Sequence, residues 1–347
     1  MKKFLSTLPI AALVATGVSF AAPAAAETTL ETVQARGHLN CQVGPPRAGY
    51  YQLLENGEWE GSDVAVCRAM AAAIFGDPTK VEFQSVSASV RFTALANGES
   101  DVLSRTATWT VGRDASLGID FTAPMFHDGQ GFLVRKDSGI TSVFDMKGAT
   151  VCVVTGHTTE TTLQDFSKTH DLDIQAIAFE DSAIVNETYL NGGCDAITTD
   201  KGVLAAESRG FPVPSDHMVL PEILTKEPLA PAVRNGDNQW GDIVQWTVFA
   251  LINAEELGIT QANVEEIAAN PSNPLVARFL GTEGELSQGL GLPTDWVVHA
   301  IKAVGNYGEI YEHYLGNGRP EALGIPRAGS PNALWTEGGL MFSPPFR

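Results

Sequence analysis

Two stretches of this chain, one ending near residue 104 and one beginning near residue 149, pass through the same alternation of short apolar segments and helix-like segments. Residues 38–44 (HLNCQVG) alternate as a half-buried strand does, and 63–75 (DVAVCRAMAAAIF) set apolar residues at helical spacing. A strand at 80–84, a short helix around 89–97 and a strand at 101–104 complete a βαβαβ unit. The second stretch predicts a strand at 149–154, a helix at 158–168, a strand at 174–179, a helix at 181–190 and a strand at 195–198. Strands alternating with helices imply a mostly parallel sheet flanked by helices, so the repeat predicts an α/β chain of two lobes.

A local pattern recurs in both units. Asn97-Gly98 stands three residues before Asp101, and Asn191-Gly192 three residues before Asp195, each pair closing a helix before a strand begins. The segments 129–136 (GQGFLVRK) and 227–234 (EPLAPAVR) are extended and apolar, and are the expected crossover strands between lobes. The expected division is residues 27–133 with 234–347 in the first lobe and 134–233 in the second. Residues 237–257 carry Trp240, Ile243, Val244, Thr247, Val248 and Leu251 on one helical face. The Gly- and Pro-rich tail beyond 270 reads as short helices and loops wrapped on the first lobe.

The chain opens Met1-Lys2-Lys3, continues through an apolar stretch to Phe20 and reaches Ala24-Ala25-Ala26. That is the pattern of a secretory signal cleaved after Ala26, and Ser6, Thr7, Pro9 and Thr16 interrupt it too often for a retained anchor. Export to the periplasm is therefore expected, and the remaining length calls for more than one core. The formal net charge of −19 offers no basic surface, so nucleic acid is not an expected partner. All four cysteines, Cys41, Cys67, Cys152 and Cys194, follow the signal, in a compartment that oxidises thiols. Of the three pairings four cysteines allow, Cys41 with Cys67 and Cys152 with Cys194 keep each bridge within one half of the chain. No Cys-x-x-Cys or nearby His spacing supports a metal site.

Parallel sheets place ligands at the C-terminal ends of their strands, where helix N-termini direct N–H groups outward. The richest such stretch is SRTATWTVGRD at 104–114, with Thr106, Thr108, Thr110, Trp109 and Arg113. The planar fork of an arginine suits a carboxylate. The matching point in the second unit is TGHTTE at 155–160, where Thr158 and Thr159 begin a helix, and Asp200 ends the third strand there. Tyr50, Tyr51 and Trp109 are candidates to sandwich a ligand, and Arg47, Arg105 and Lys201 to meet an acidic side chain. Helix capping, core packing or surface ion pairing is the plainer role for each of these residues.

The segments RFTALANGESDVLSRTATWTVGRD (91–114), DGQGFLVRK (128–136), KEPLAPAVRNGDNQW (226–240), WTVFALINAEELGIT (246–260) and ALWTEGGLMFSPPFR (333–347) resemble the periplasmic general (polar) L-amino-acid-binding proteins of ABC transporters. The resemblance covers nearly all of the chain after the signal. It implies the two-lobed periplasmic binding protein fold, two crossover strands, two within-lobe disulfides and a four-helix C-terminal elaboration on the first lobe. It further implies that Arg113, helped by the backbone at Thr158, binds the substrate α-carboxylate, and that Thr106, Thr108 and Asp200 bind the α-ammonium.

The chain departs from that pattern in three places. Thr106 stands where relatives usually carry Asn, the family's Gly-Phe-Asp-Val-Asp is Gly61-Ser62-Asp63-Val64-Ala65, and the loop Gly44–Tyr51 is altered. His157 and Lys201 add basic groups beside the expected cleft. Capture of a free L-amino acid and delivery to an inner-membrane ABC permease by a monomeric protein is the expected function, with no cofactor. The alternatives are a binding protein for another small carboxylate, a sensory binding protein, or a periplasmic enzyme of dehydratase type using Glu160, Asp200, His157 or Lys201.

Overall fold

Residues 27–347 are described in the computed structural model, and the expected signal and its cleavage point after Ala26 lie outside the described residues. The first half runs α1 (Thr29–Arg36), β1 (Leu39–Val43), the hairpin β2 (Gln52–Leu53) and β3 (Trp59–Glu60), α2 (Ser62–Phe75), β4 (Val81–Ser85), α3 (Arg91–Ala96) and β5 (Val102–Leu103). Then come α4 (Val111–Ser116), β6 (Ile119–Phe121), β7 (Phe126–Asp128) and β8 (Gln130–Arg135). The second half runs β9 (Thr150–Val154), α5 (Thr158–Thr169), β10 (Gln175–Phe179), α6 (Ser182–Leu190), β11 (Ala196–Asp200), α7 (Lys201–Arg209), β12 (His217–Val219), β13 (Glu227–Leu229) and β14 (Ala232–Arg234). After it come α8 (Asn238–Glu256) and the four helices α9 (Val264–Ala269), α10 (Pro274–Phe279), α11 (Trp296–Val304) and α12 (Tyr307–Tyr314).

Two five-stranded sheets result, ordered β4-β1-β5-β14-β6 and β10-β9-β11-β8-β12. In each, the first three strands are parallel and the last two run antiparallel to their neighbours. Each sheet reverses its winding at its first strand, so both offer a crevice at the C-terminal ends of their central strands.

The two-stranded ribbon that joins the sheets pairs β7 with β13, Asp128 opposite Glu227 and Phe126 opposite Leu229. The bridging segment thus precedes residues 129–136, which enter the second sheet as β8. The expected change of lobe at 133–134 falls inside β8 and that at 233–234 inside β14, while each of these strands lies whole in one sheet. Gly129 separates β7 from β8, and a Cβ there would lie 2.3 Å from Ile223 Cγ2.

The repeated Asn-Gly-x-x-Asp pattern has the same structural job twice. Gly98 and Gly192 stop α3 and α6 at φ 77° and 78°. Asp101 then accepts the amide of Asn40 at 2.7 Å and returns its own amide to the Asn40 carbonyl. Asp195 does the same with Thr150, its carboxylate accepting at 2.8 Å. Each aspartate locks the third strand of its unit to the first.

Both expected disulfides form, Cys41–Cys67 tying β1 to α2 and Cys152–Cys194 tying β9 to the turn before β11, with Cα separations of 6.2 and 5.8 Å. The six apolar-face residues of α8 are all buried, and Trp240 Nε1 donates to the Asp101 carbonyl at 2.7 Å. The Ala-rich α2 is buried nearly all round, because α11 of the C-terminal elaboration covers the face turned away from the sheet. No helix among the described residues is long and apolar enough to cross a membrane.

Replacing either aspartate by alanine leaves a strand amide without its charged acceptor, a cost of about 1–3 kcal/mol. Urea unfolding of Asp101→Ala, Asp195→Ala and the double variant is expected to give additive losses, since the sites lie in different sheets. Losses below about 0.5 kcal/mol, the range of an ordinary surface change, would show that the clamps are incidental.

Candidate ligand-binding cleft

The C-terminal ends of both sets of parallel strands open on one chamber. Its first-lobe wall is Arg47, Arg91, Arg105, Thr106, Thr108 and Arg113, and its second-lobe wall is His157, Thr158, Thr159, Thr199, Asp200 and Val203. Each follows or ends a strand, as a doubly wound sheet requires.

Arg113 sits in the first turn of α4, which Thr110 caps by accepting the Arg113 amide at 3.3 Å. Its guanidinium lies 5.0 Å from the Phe92 ring centre, donates to the Thr108 carbonyl at 3.0 Å and reaches across the gap to the Gly156 carbonyl at 3.2 Å. It forms no ion pair among the described residues. Opposite, Asp200 is 7% exposed, and its carboxylate has no hydrogen-bond partner among the described residues. Burial pushes its pKa well above the usual carboxylate range, and Asp128 and Glu227 behind it push the same way. Asp128, raised to about 6 by burial, spends its oxygens on the amides of Gly129 and Gly202 at 2.8 and 2.9 Å. Glu227 accepts from the hydroxyls of Thr158 and Thr225.

The first turn of α5 supplies the other polar edge. His157 precedes it without capping it, and the Thr158 and Thr159 amides, as the first two of a helix, have no intrahelical acceptor. The Thr159 hydroxyl is buried without a partner. A guanidinium, a run of free amides and a lone carboxylate facing one another can hold the two ends of a zwitterion.

The chain belongs to the bacterial extracellular solute-binding proteins, family 3. Residues 44–263 match that family. The chain is 48% identical over 347 residues, 99% of each protein, to the general L-amino acid-binding periplasmic protein of Rhizobium johnstonii. It is 46% identical over the whole of both chains to the glutamate/glutamine/aspartate/asparagine-binding protein of Rhodobacter capsulatus. A solved ABC transporter periplasmic binding protein from Brucella ovis with glutathione bound superposes with a TM-score of 0.89 at 46% identity, covering 92% of this chain and 100% of that one. The matched family is one of binding proteins.

Of the residues singled out from sequence, this binding protein brings Arg105, Thr106, Thr108, Arg113, Thr158, Thr159 and Asp200 to one chamber. Tyr51 lies just behind the wall, its hydroxyl 2.6 Å from Arg47 Nη1 and 3.2 Å from Thr106 Oγ1. Tyr50 is further back, edge-on to Phe126 and lining a neighbouring cavity with Tyr307 and Tyr311. Trp109 is 41% exposed, stacks on Phe121 and is not part of the chamber wall. Lys201 turns away and donates to the carbonyls of Leu220 and Pro221, both at 3.2 Å. Arg91 and Thr199, absent from the sequence candidates, line the chamber. Arg91 opens a helix directly after a strand loop, the same local context that drew attention to Thr158.

Thr106 has φ +46°, a left-handed conformation that β-branched residues avoid and Asn tolerates. The Asn that the resemblance implies at this position fits that backbone. Thr106→Asn is therefore expected to raise the unfolding free energy of the ligand-free protein by about 1 kcal/mol, the lower end of such strain. Urea denaturation reads the change, and a loss of stability in both Thr106→Asn and Thr106→Gly would show that the turn is not strained.

Proposed function

We propose that the exported chain is a periplasmic binding protein that captures a free L-amino acid in the interlobe chamber and delivers it to an ABC permease. The observation that carries this reading is the pairing of Arg113, whose guanidinium has only carbonyl acceptors, with Asp200, whose carboxylate has no donor, both among the described residues. The α-carboxylate takes the Arg113 fork and the amides of Thr158 and Thr159, while the α-ammonium takes Asp200 with Thr106 and Thr108. Residues of both lobes hold one ligand, so the ligand stabilises the closed arrangement and shifts an open population toward it. The permease reads that closed form. The names of the Rhizobium and Rhodobacter relatives support the substrate class. Glutathione, bound by the Brucella relative, carries the same free α-amino-acid head on its glutamyl end.

Arg113→Ala is expected to weaken amino-acid binding by about 2–5 kcal/mol, the cost of removing one member of a buried charge pair. Calorimetric titration of refolded, ligand-stripped protein checks it. Retained affinity for every amino acid would remove Arg113 from the site.

The raised pKa of Asp200 adds a pH dependence. An ammonium binds only the ionised carboxylate and lowers its pKa, so binding releases a proton from the part of the population that is protonated. Affinity is expected to fall as pH drops through the raised pKa of free Asp200, starting well above the ordinary Asp value near 4. The calorimetric heat should shift between buffers of different ionisation enthalpy, and Asp200→Asn should bind weakly with that shift gone. A flat affinity from pH 7 down to about 4, the ordinary Asp range, would separate Asp200 from the ammonium.

A further inference from the structure

We propose that the chamber selects an amino acid whose side chain ends in a second carboxylate, and that Arg91 and Arg105 discriminate this acid from its amide. The proposal rests on the amino-acid reading above and deepens it.

The argument is a count of charges. Four guanidiniums line the chamber, from Arg47, Arg91, Arg105 and Arg113, and Asp200 is the one carboxylate among the lining residues, with Asp63 behind Arg105 and Glu227 behind Arg113. An α-amino acid clamped between Arg113 and Asp200 brings one charge of each sign and leaves the balance unchanged. Arg47 has its own counter-ion, Glu207 of the other lobe, at 3.1 Å. Arg91 and Arg105 have none among the described residues, although they are only 3% and 4% exposed. Arg91 donates to the carbonyls of Ala88 and Gly156, and Arg105 to the carbonyl of Val86, while Arg105 Nε is buried without an acceptor. Asp63 is the acid beside them, and its carboxylate accepts from the Ser104 hydroxyl and the Thr106 amide rather than from a guanidinium.

Buried cations without counter-ions are costly, and the cost is relieved when an anion arrives. The neutral amide of Gln or Asn brings no charge and leaves both cations as they were. A second carboxylate gains charge-assisted hydrogen bonds, roughly twice as strong as neutral ones. The Phe92 ring places the two functions side by side, because the Arg91 guanidinium lies 4.5 Å from its centre and that of Arg113 5.0 Å. His157, on the facing wall, adds a ring that can donate one hydrogen bond while neutral.

The test is calorimetric titration of the refolded, ligand-stripped exported chain with L-glutamate and L-glutamine, and with L-aspartate and L-asparagine. Each acid is expected to bind about tenfold or more tightly than its amide, the difference between a charged and a neutral hydrogen-bonding pair. Arg91→Gln and Arg105→Gln are expected to bring each acid-to-amide ratio toward one while amide binding persists; a merely structural role would weaken acid and amide alike. The wild-type ratio decides even where a variant does not fold. Equal binding of acid and amide, with both lost in Arg113→Ala, overturns the second-carboxylate site and leaves the amino-acid reading standing. Binding of no amino acid at all overturns both.

Discussion

Strand direction decides where this protein can bury charge. In each sheet three parallel strands bring their C-terminal ends, and the first turns of the helices that follow, to one edge, and the two edges face each other. Helix starts leave amides without acceptors, and such places favour anions. Arginines, threonines and one aspartate gather there, while the apolar side chains of the same strands fill the cores on either face. The chamber's electrostatics therefore follow from topology, and the individual side chains adjust a site that the backbone has already placed.

Capture by closure, as proposed above, requires walls that hold their shape while the distance between them changes. Within each lobe a disulfide and an aspartate clamp fix the first strand, Cys41 with Asp101 on β1 and Cys152 with Asp195 on β9. The C-terminal elaboration extends that rigidity to the ribbon: Tyr307 donates to the Met125 carbonyl at 2.9 Å, and Asn332 bonds both the amide and the carbonyl of His127. Strand β7 is thus fastened to the first lobe. Polar contacts cross the gap, with Arg91 and Arg113 on one carbonyl of Gly156, Arg47 on Glu207 and Arg209 on the carbonyls of Pro320 and Ala322. Polar contacts exchange with water at small net cost, so they suit surfaces that separate and rejoin.

Much of this was legible in the sequence because period and punctuation agree. The α8 stripe, both βαβαβ units, the paired Asn-Gly-x-x-Asp turns and the cysteine halves each gave a signal that the structure bears out. Of the expected crossovers, 227–234 contains β13, whereas 129–136 begins just after β7, a strand three residues long and too short to show a period. Lys201 was misread because it is the first residue of a helix: one step beyond Asp200 the chain turns by about 100°, and the side chain leaves the cleft. Tyr50, expected to sandwich a ligand, takes the plainer core role instead, because Gly202 leaves it room: a Cβ there would come 2.2 Å from its hydroxyl. Arg91 escaped notice because an arginine opening a short helix looks solvated, and only the fold shows what it faces.

The loop Gly44–Tyr51, the segment Gly61–Ala65 and Thr106, the three places where the resemblance implies a departure, are physically linked. The altered loop closes on itself through a bridge between Arg47 and Tyr51, and both side chains meet the Thr106 hydroxyl, at 3.4 and 3.2 Å. Asp63, a matching position within the Gly61–Ala65 segment, accepts the Thr106 amide at 3.4 Å. A strained residue persists where its neighbours over-determine it, and Thr106 is held by Arg47, Tyr51 and Asp63. The same Arg47 crosses the gap to Glu207, which Asn186 in turn holds from its own lobe. The loop, the threonine and the interlobe ion pair are therefore one unit of contacts, which ties the wall of the chamber to the facing lobe.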